Sequence, residues 1–406
     1  MTTYIARALE GRLLEASSQF PVLLVTGPRQ TGKTTLLKHL KDGSRGYVSL
    51  DSMPARLLAR EDPELFLQRF PPPLIIDEIQ YAPGLLSAIK LACDASGGKG
   101  LFWLTGSQQF QLMRGVTESL AGRVAIVTLN GLSERETSGS LSDPTPFLPR
   151  AGGPARKGTI YDEPSLFRRI FTGSYPAALS GEVRDLELFY GSYVRTYLER
   201  DLREVSQIGS LESFYVFLKV LAARTGTTLN MSEISRDCAV SVPTVKHWIS
   251  VLVASSLVYL LRPYASNRGS RLIKSPKLYF LDTGLCAHLA GYSSPETLAA
   301  GPLRGAIFET WCVAEALKSW WYALKDPPVY FYRDKDGVEI DLLFEADGGL
   351  FPVEIKLGAS PKRDWIRHFA ALERLGIPAR PGAVLCLVQE AFPIDRHNTA
   401  LPAGSI

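Results

Sequence analysis

One stretch constrains this chain more than any other. It is the octapeptide Gly27-Pro28-Arg29-Gln30-Thr31-Gly32-Lys33-Thr34, set between an apolar run, Pro21-Val22-Leu23-Leu24-Val25-Thr26, and a helical pattern that begins at Lys33. The spacing is GxxxxGK[ST] in the strand, loop and helix context the motif requires. Two glycines let the backbone turn tightly enough for its N–H groups, and for the helix N-terminus, to face the oxygens of a phosphate chain. Lys33 would neutralise the outer phosphates, and the Thr34 hydroxyl would enter the shell of a magnesium ion. The candidate nucleotide-binding residues are Gly27, Pro28, Arg29, Gln30, Thr31, Gly32, Lys33, Thr34 and Thr35, with Lys33 also catalytic. ATP and Mg2+ are the expected ligands.

Further strand-like runs alternate with helical ones: GYVSLD, PPLIIDE, GLFWLTGS and RVAIVTL. Such alternation builds a parallel sheet covered by helices. Leu74-Ile75-Ile76-Asp77-Glu78 is a buried-type strand ending in two carboxylates. Asp77 would hold the magnesium, and Glu78 would orient and deprotonate the water that attacks the γ-phosphate. The next strand ends in Thr105-Gly106-Ser107, which puts a hydroxyl near the same phosphate, and Arg123 closes the following helix. This order resembles the AAA-type ATPases. The resemblance makes Ser107 a polar sensor and Arg123 an arginine that reaches a neighbouring subunit's nucleotide; a helix-end arginine is the other reading of Arg123.

Length and charge bound the rest. At 406 residues the chain is too long for one ordinary core. A net charge of +4 leaves any nucleic-acid contact to local basic clusters. The five cysteines (Cys93, Cys238, Cys286, Cys312, Cys386) form no CxxC pair and fit reduced core thiols in a cytoplasmic protein. The most apolar run, Trp248 to Leu261, contains three serines and is shorter than the ~20 residues a bilayer span needs, so no membrane contact is expected.

Thr137 to Gly158 is rich in Ser, Pro and Gly and reads as an insertion or linker, and Glu163 to Ser210 reads as mainly helical. From Phe214 to Leu281 two short helices precede two strand-like runs, the pattern of a winged helix-turn-helix. Thr244, Lys246 and His247 sit on its recognition-type helix. Arg262, Arg268, Arg271, Lys274 and Lys277 lie in or beside its wing, where they suit duplex DNA phosphates. A protein-packing module is the alternative.

Beyond Gly305 a helix carrying Glu309 precedes the runs VYFYR, VEIDLLF and LFPVEIK, with Asp336-Gly337 and Gly348-Gly349 at the turns. Alternation along a strand puts Glu354 and Lys356 on one face, where they can converge with Asp341. Surface ion pairs are the competing explanation.

The segments YVRTYLERDLREVSQI, LAARTGTTLNMSEISRD, PTVKHWISVL and KSPKLYFLDTGL resemble a widespread prokaryotic family of AAA-type (AAA+) P-loop ATPases whose C-terminal half is a domain of unknown function. The Glu309, Asp341, Glu354, Lys356 set resembles the PD-(D/E)xK nucleases. That likeness implies Asp341 and Glu354 as metal ligands, Glu309 as a supporting acid and Lys356 as the electrostatic catalyst. The expected fold class is α/β: a P-loop AAA-type ATPase domain (1–136), an insertion (137–160), a helical lid or connector (161–210), a winged helix (211–290) and a restriction-endonuclease-like α/β domain (291–406).

The leading functional expectation is an ATP-hydrolysing protein that acts on DNA, self-associates into a nucleotide-stabilised oligomer such as a ring, and carries a Mg-dependent nuclease domain. The rival is a nucleotide-regulated switch or scaffold whose C-terminal domain binds a partner without cutting. A small-molecule kinase is disfavoured, because paired Asp77 and Glu78 suit water activation.

Overall fold

The structure is a computed structural model. It describes residues 4–106, 115–116, 119–141, 145–150, 158–196, 211–265 and 275–406. The first domain is built on strands β1 (Val22–Thr26), β2 (Gly46–Ser49), β3 (Leu74–Asp77), β4 (Phe102–Thr105) and β5 (Val124–Thr128), all parallel, in the order β2-β3-β4-β1-β5. Continuous apolar runs suit such strands because both faces are covered. Val22 and Leu24 join one core with Ile76 and Leu104, while Leu23 and Val25 join the other with Ile75 and Trp103. Leu13 of helix Glu10–Gln19 and Leu36 and Leu37 of helix Lys33–Leu40 close that second core. Parallel strands share one carboxyl edge, so Gly27, Asp77 and Thr105 all emerge at a single rim.

Helices Glu163–Thr172, Pro176–Leu179 and Leu186–Thr196 follow, and then Leu211–Ala222, Met231–Asp237 and Val242–Ala254. The helix starts are written in the sequence. Asn230 accepts from the N–H groups of Ser232 and Glu233, and Ser241 accepts from Thr244 with Pro243 in the first turn. Trp248, Ile249 and Leu252 are buried, while Lys246 and His247 are exposed on the same helix. An antiparallel hairpin of β6 (Val258–Leu261) and β7 (Lys277–Phe280) comes next. Of the expected wing residues, Arg262 is exposed, and Arg268, Arg271 and Lys274 lie outside the described residues. Lys277 corrects the sequence reading. It is 5% exposed and committed to carboxylates, so it is not available to a DNA phosphate.

The C-terminal sheet joins β8 (Val329–Arg333), β9 (Glu339–Ala346), β10 (Gly349–Ile355), β11 (Gly382–Cys386), β12 (Phe392–Pro393) and β13 (Asn398–Pro402) in the order β12-β13-β11-β10-β9-β8. Helix Arg304–Trp321 packs Phe308, Trp311 and Cys312 into the core that holds Leu342, Val353 and Leu385. The 3-10 helix Arg363–Leu375 places Ile366, Phe369 and Leu372 against Ile340, Leu350 and Val384. The β9–β10 turn is Asp347-Gly348, one residue earlier than expected, because Gly349 already pairs with Ala346. Both turn residues have positive φ (49° and 67°), the backbone that a two-residue hairpin turn needs. Among the described residues, no helix is long and apolar enough to cross a membrane.

Candidate functional site

The phosphate loop leaves β1 at Gly27, whose φ is 132°. A Cβ there would stand 2.2 Å from the Leu129 carbonyl oxygen, so only glycine fits. Gly32, at φ 89°, starts helix Lys33–Leu40 without any side-chain cap. An uncapped N-terminus with a flexible glycine before it is what a phosphate group would fill. The Lys33 ammonium donates to the carbonyls of Gly27 (2.9 Å) and Pro28 (2.7 Å), and the Thr31 hydroxyl also donates to Pro28 (2.9 Å).

Asp77, at the end of β3, gathers three hydroxyls. Thr34 donates to Oδ1 over 2.8 Å, Thr105 donates to the same oxygen, and Tyr47 donates to Oδ2 over 2.9 Å. Burial, and then the Asp77 charge, push the Tyr47 phenol up to about 12, so it stays a donor. Glu78 takes a left-handed backbone (φ 59°), rare for a non-glycine residue, and its N–H donates to the Thr105 hydroxyl (3.1 Å). Its carboxylate accepts from Gln80. Sequence reasoning missed Tyr47 as a partner of Asp77. The signal was the parallel register that sets Ser49 beside Asp77, with Tyr47 two residues earlier on the same face.

Ser107 lies outside the described residues. Arg123 stands at the amino edge of the sheet, where its carbonyl accepts from Val22, away from the loop of its own chain. Its guanidinium pairs with Asp94 (2.6 and 3.1 Å) and donates to the Ala121 carbonyl (3.2 Å).

Buried charges tie this rim to the C-terminal domain. Arg7 donates to the Thr31 carbonyl (2.8 Å), the Asn130 carbonyl (2.8 Å) and the Tyr322 hydroxyl (3.3 Å), and pairs with Glu136 (2.9 Å). Glu315 accepts from the Glu134 N–H (2.7 Å) and pairs with Lys318 (2.9 Å), whose ammonium also donates to Leu132 (3.0 Å). Helix Arg304–Trp321, which carries Glu315 and Lys318, also carries Glu309.

The structure brings Glu309, Asp341, Glu354 and Lys356 together. Extending the β9–β10 register, in which Val353 faces Leu342, sets Glu354 opposite Asp341. Asp341 Oδ2 accepts from the Ile355 N–H (2.8 Å), and Lys356 pairs with Glu354 Oε1 at 2.5 Å. Glu354 Oε2 is buried and has no hydrogen-bond partner. Glu309 Oε1 accepts from the Tyr279 hydroxyl (2.5 Å) and from Lys277 (3.2 Å), whose ammonium also pairs with Glu339 (2.6 Å). Burial, and then the Asp341 charge, raise Glu309 and Glu354 to about 7 each. Burial likewise raises Asp341, against the pull of Lys356 and Lys277.

This set holds the carboxylates of Glu309, Glu339, Asp341 and Glu354 against the ammoniums of Lys277 and Lys356 and, on Glu339, the Arg333 guanidinium (3.7 Å), a small formal excess of negative charge that a divalent cation would offset. Together with the orphaned Glu354 oxygen, it fits a cation, with Asp341 and Glu354 as the holders. Among the described residues, no three His, Cys, Asp or Glu side chains already stand at metal-holding separation. Sequence reasoning missed Lys277, Tyr279 and Glu339 as members of the set. The signal was a lysine inside the apolar run Lys277-Leu278-Tyr279-Phe280.

Residues 19–138 match the family described as AAA domain, residues 163–296 match Domain of unknown function (DUF8612), and residues 304–406 match Domain of unknown function (DUF4143). With the five-stranded parallel sheet and its phosphate loop, this makes the first domain an AAA-type P-loop ATPase domain, the class that binds and hydrolyses ATP, followed by domains of unknown function. Over 405 residues the chain is 28% identical to the uncharacterized protein Rv2008c of Mycobacterium tuberculosis, covering 98% of this chain and 84% of that one. Among solved structures, the Walker-type ATPase PABY2304 of Pyrococcus abyssi aligns at 14% identity and a TM-score of 0.43, covering 70% of this chain and 96% of that chain. The Thermotoga maritima RuvB Holliday junction branch migration motor aligns at 16% and 0.28, covering 62% and 85%.

Proposed function

We propose that this chain is an ATP-driven DNA-processing enzyme with two hydrolytic sites. At the first, Lys33 would exchange its loop carbonyls for the outer phosphates of ATP, and Thr34 and Asp77 would hold Mg2+. When bound, the ion would supply charge neutralisation to the phosphate chain. Glu78 takes the proton of a water that attacks the γ-phosphorus, and the bond to the β-bridging oxygen breaks to release ADP and inorganic phosphate. Ser107 senses the γ-phosphate, and Arg123 acts on the nucleotide of a neighbouring subunit in an oligomer.

Duplex DNA would lie against the winged-helix element formed by helices Met231–Asp237 and Val242–Ala254 and the β6–β7 hairpin. The exposure of Lys246, His247 and Arg262 supports this reading. At the second hydrolytic site Asp341 and Glu354 would hold a divalent cation, which would supply Lewis acidity to the scissile phosphate. Lys356 would stabilise the charge that develops as water attacks phosphorus; the bond to one ester oxygen breaks, and the proton that the water loses ends on that leaving oxygen. The observation that carries the cutting reading is Glu354 Oε2, buried without a hydrogen-bond partner inside a cluster with more carboxylates than ammoniums.

One observation favours the second reading, a nucleotide-regulated switch that does not cut: Lys277 already occupies Glu309. Incubation with plasmid or branched DNA in Mg2+ or Mn2+ separates the two. Strand cleavage abolished by Asp341→Ala and by Lys356→Ala is expected, and metal-dependent cleavage that survives both substitutions overturns the assignment.

A further inference from the structure

Lys277 belongs to the hairpin that follows the helix pair, yet its side chain ends among the carboxylates of the C-terminal domain. Its ammonium lies 2.6 Å from Glu339 and 3.2 Å from Glu309, with the ring of Phe331 at 5.5 Å. Tyr279, two residues on and therefore on the same face of β7, donates to the same Glu309 oxygen. A buried ammonium is stable only against such acceptors, since removing it from water costs several kcal/mol in the absence of a partner. A divalent cation drawn in by Asp341 and Glu354 would need a share of the same negative charge. It would also be repelled by an ammonium at a few ångströms.

The means of yielding are present. Lys277 is the first residue of β7, paired with Leu261 on one side and bridged to Thr228 on the other, so its backbone is held and the freedom lies in its side chain. Its four-carbon stem lets the ammonium move without the strand. Its partners are asymmetric: Glu339 is 29% exposed at its side chain and can keep the ammonium near solvent, whereas Glu309 is 19% exposed and carries the second contact.

We propose that Lys277 is a tethered cation that competes with a divalent metal for Glu309, and so sets the metal affinity of the carboxylate cluster from the winged-helix hairpin. The inference rests on reading the cluster as a metal site, and its test does not depend on DNA cleavage. Lys277 is a positioning residue in this scheme, acting through Glu309.

The test is Mn2+ binding to the full chain without nucleotide, followed by the loss of the free-ion electron paramagnetic resonance signal. The component assigned to the cluster is the one removed by Asp341→Asn. Lys277→Met is expected to tighten that component at least about ten-fold, in keeping with removal of one nearby like charge. Lys277→Arg, which keeps the charge, is expected to stay within about three-fold of the parent. Unchanged or weaker binding in Lys277→Met overturns the proposal. If that variant does not fold, Lys277→Gln, which drops the charge and keeps a polar stem, takes its place: binding at least about ten-fold tighter is expected, and unchanged or weaker binding overturns the proposal. DNA left uncut while Mn2+ binds and responds to Lys277 sinks the cleavage reading alone.

Discussion

Thr34 and Asp77 meet across the rim of the first sheet, joined by a 2.8 Å hydrogen bond between residues 43 positions apart. Tyr47 fixes the other oxygen of the same carboxylate. Asp77→Asn should lower ATP turnover at least about a hundred-fold, the scale of losing a pre-organised electrostatic group. Tyr47→Phe should cost less, about ten-fold in kcat, because it removes one of the three hydroxyls on the Asp77 carboxylate, a hydrogen bond to a charged group worth roughly 1.5 kcal/mol or somewhat more. Phosphate-release kinetics on both variants check this, and equal losses would contradict the ranking.

Gly27→Ala should abolish nucleotide binding. The added Cβ would sit 2.2 Å from a backbone oxygen, at a φ of 132° that other residues avoid. Strain of this kind costs about 1–3 kcal/mol before the loop shifts. Titration with a fluorescent ATP analogue, together with a melting curve, should show lost binding and a modest fall in Tm. Near-normal affinity would mean the loop tolerates a different backbone.

The carboxylate cluster makes stability pH-dependent with a definite sign. Glu309 and Glu354 bind protons more tightly in the folded chain, at about 7 against 4.5. The folded state therefore holds more protons between those values, and the stability these groups lend is complete below about 4.5 and lost as pH rises through about 7. Glu354→Gln removes that loss. Relative to the parent it should gain stability from pH 5 to 8, on the order of 1–2 kcal/mol at the upper end. Denaturant midpoints across that range measure it; a gain that shrinks with rising pH has the wrong sign.

Arg7 satisfies two carbonyls of the phosphate-loop rim, pairs with Glu136 and reaches Tyr322 beyond helix Arg304–Trp321. Arg7→Met leaves the buried Glu136 carboxylate with the N–H groups of Ala8 and Ser133 but no cation, at a cost of about 3–5 kcal/mol. Glu136→Gln placed on Arg7→Met should recover part of the loss, and a double-mutant cycle on chemical denaturation reads the coupling. Strictly additive effects would mean the pair is not the seat of the penalty.

Lys246→Glu should weaken duplex DNA binding and lower the slope of log affinity against log salt by about one unit or more. Fluorescence anisotropy at several salt concentrations is the check. A slope unchanged by the substitution would move the DNA contact off this helix.

The phosphate loop was fully legible in sequence because its chemistry is local: the glycines, Lys33 and Thr34 are contiguous and sit between a strand and a helix. Asp77 was legible as the end of an apolar strand, but its Tyr47 partner was not, since parallel register is a long-range property. The carboxylate set was found by alternation along β10. Lys277 was misread because the hairpin that carries it suggested a wing, and its destination depends on how helix Arg304–Trp321 packs against β7. Arg268, Arg271 and Lys274 lie outside the described residues.

The central claim is that one chain holds two separate hydrolytic sites, one for ATP and one for DNA. It is tested most directly by following phosphate release and strand cleavage in the same reaction for Lys33→Ala and Asp341→Ala. Lys33→Ala is expected to lose ATP hydrolysis, and Asp341→Ala to lose cleavage while still hydrolysing ATP. No cleavage by the unaltered protein, or cleavage by Asp341→Ala equal to it, would contradict the account.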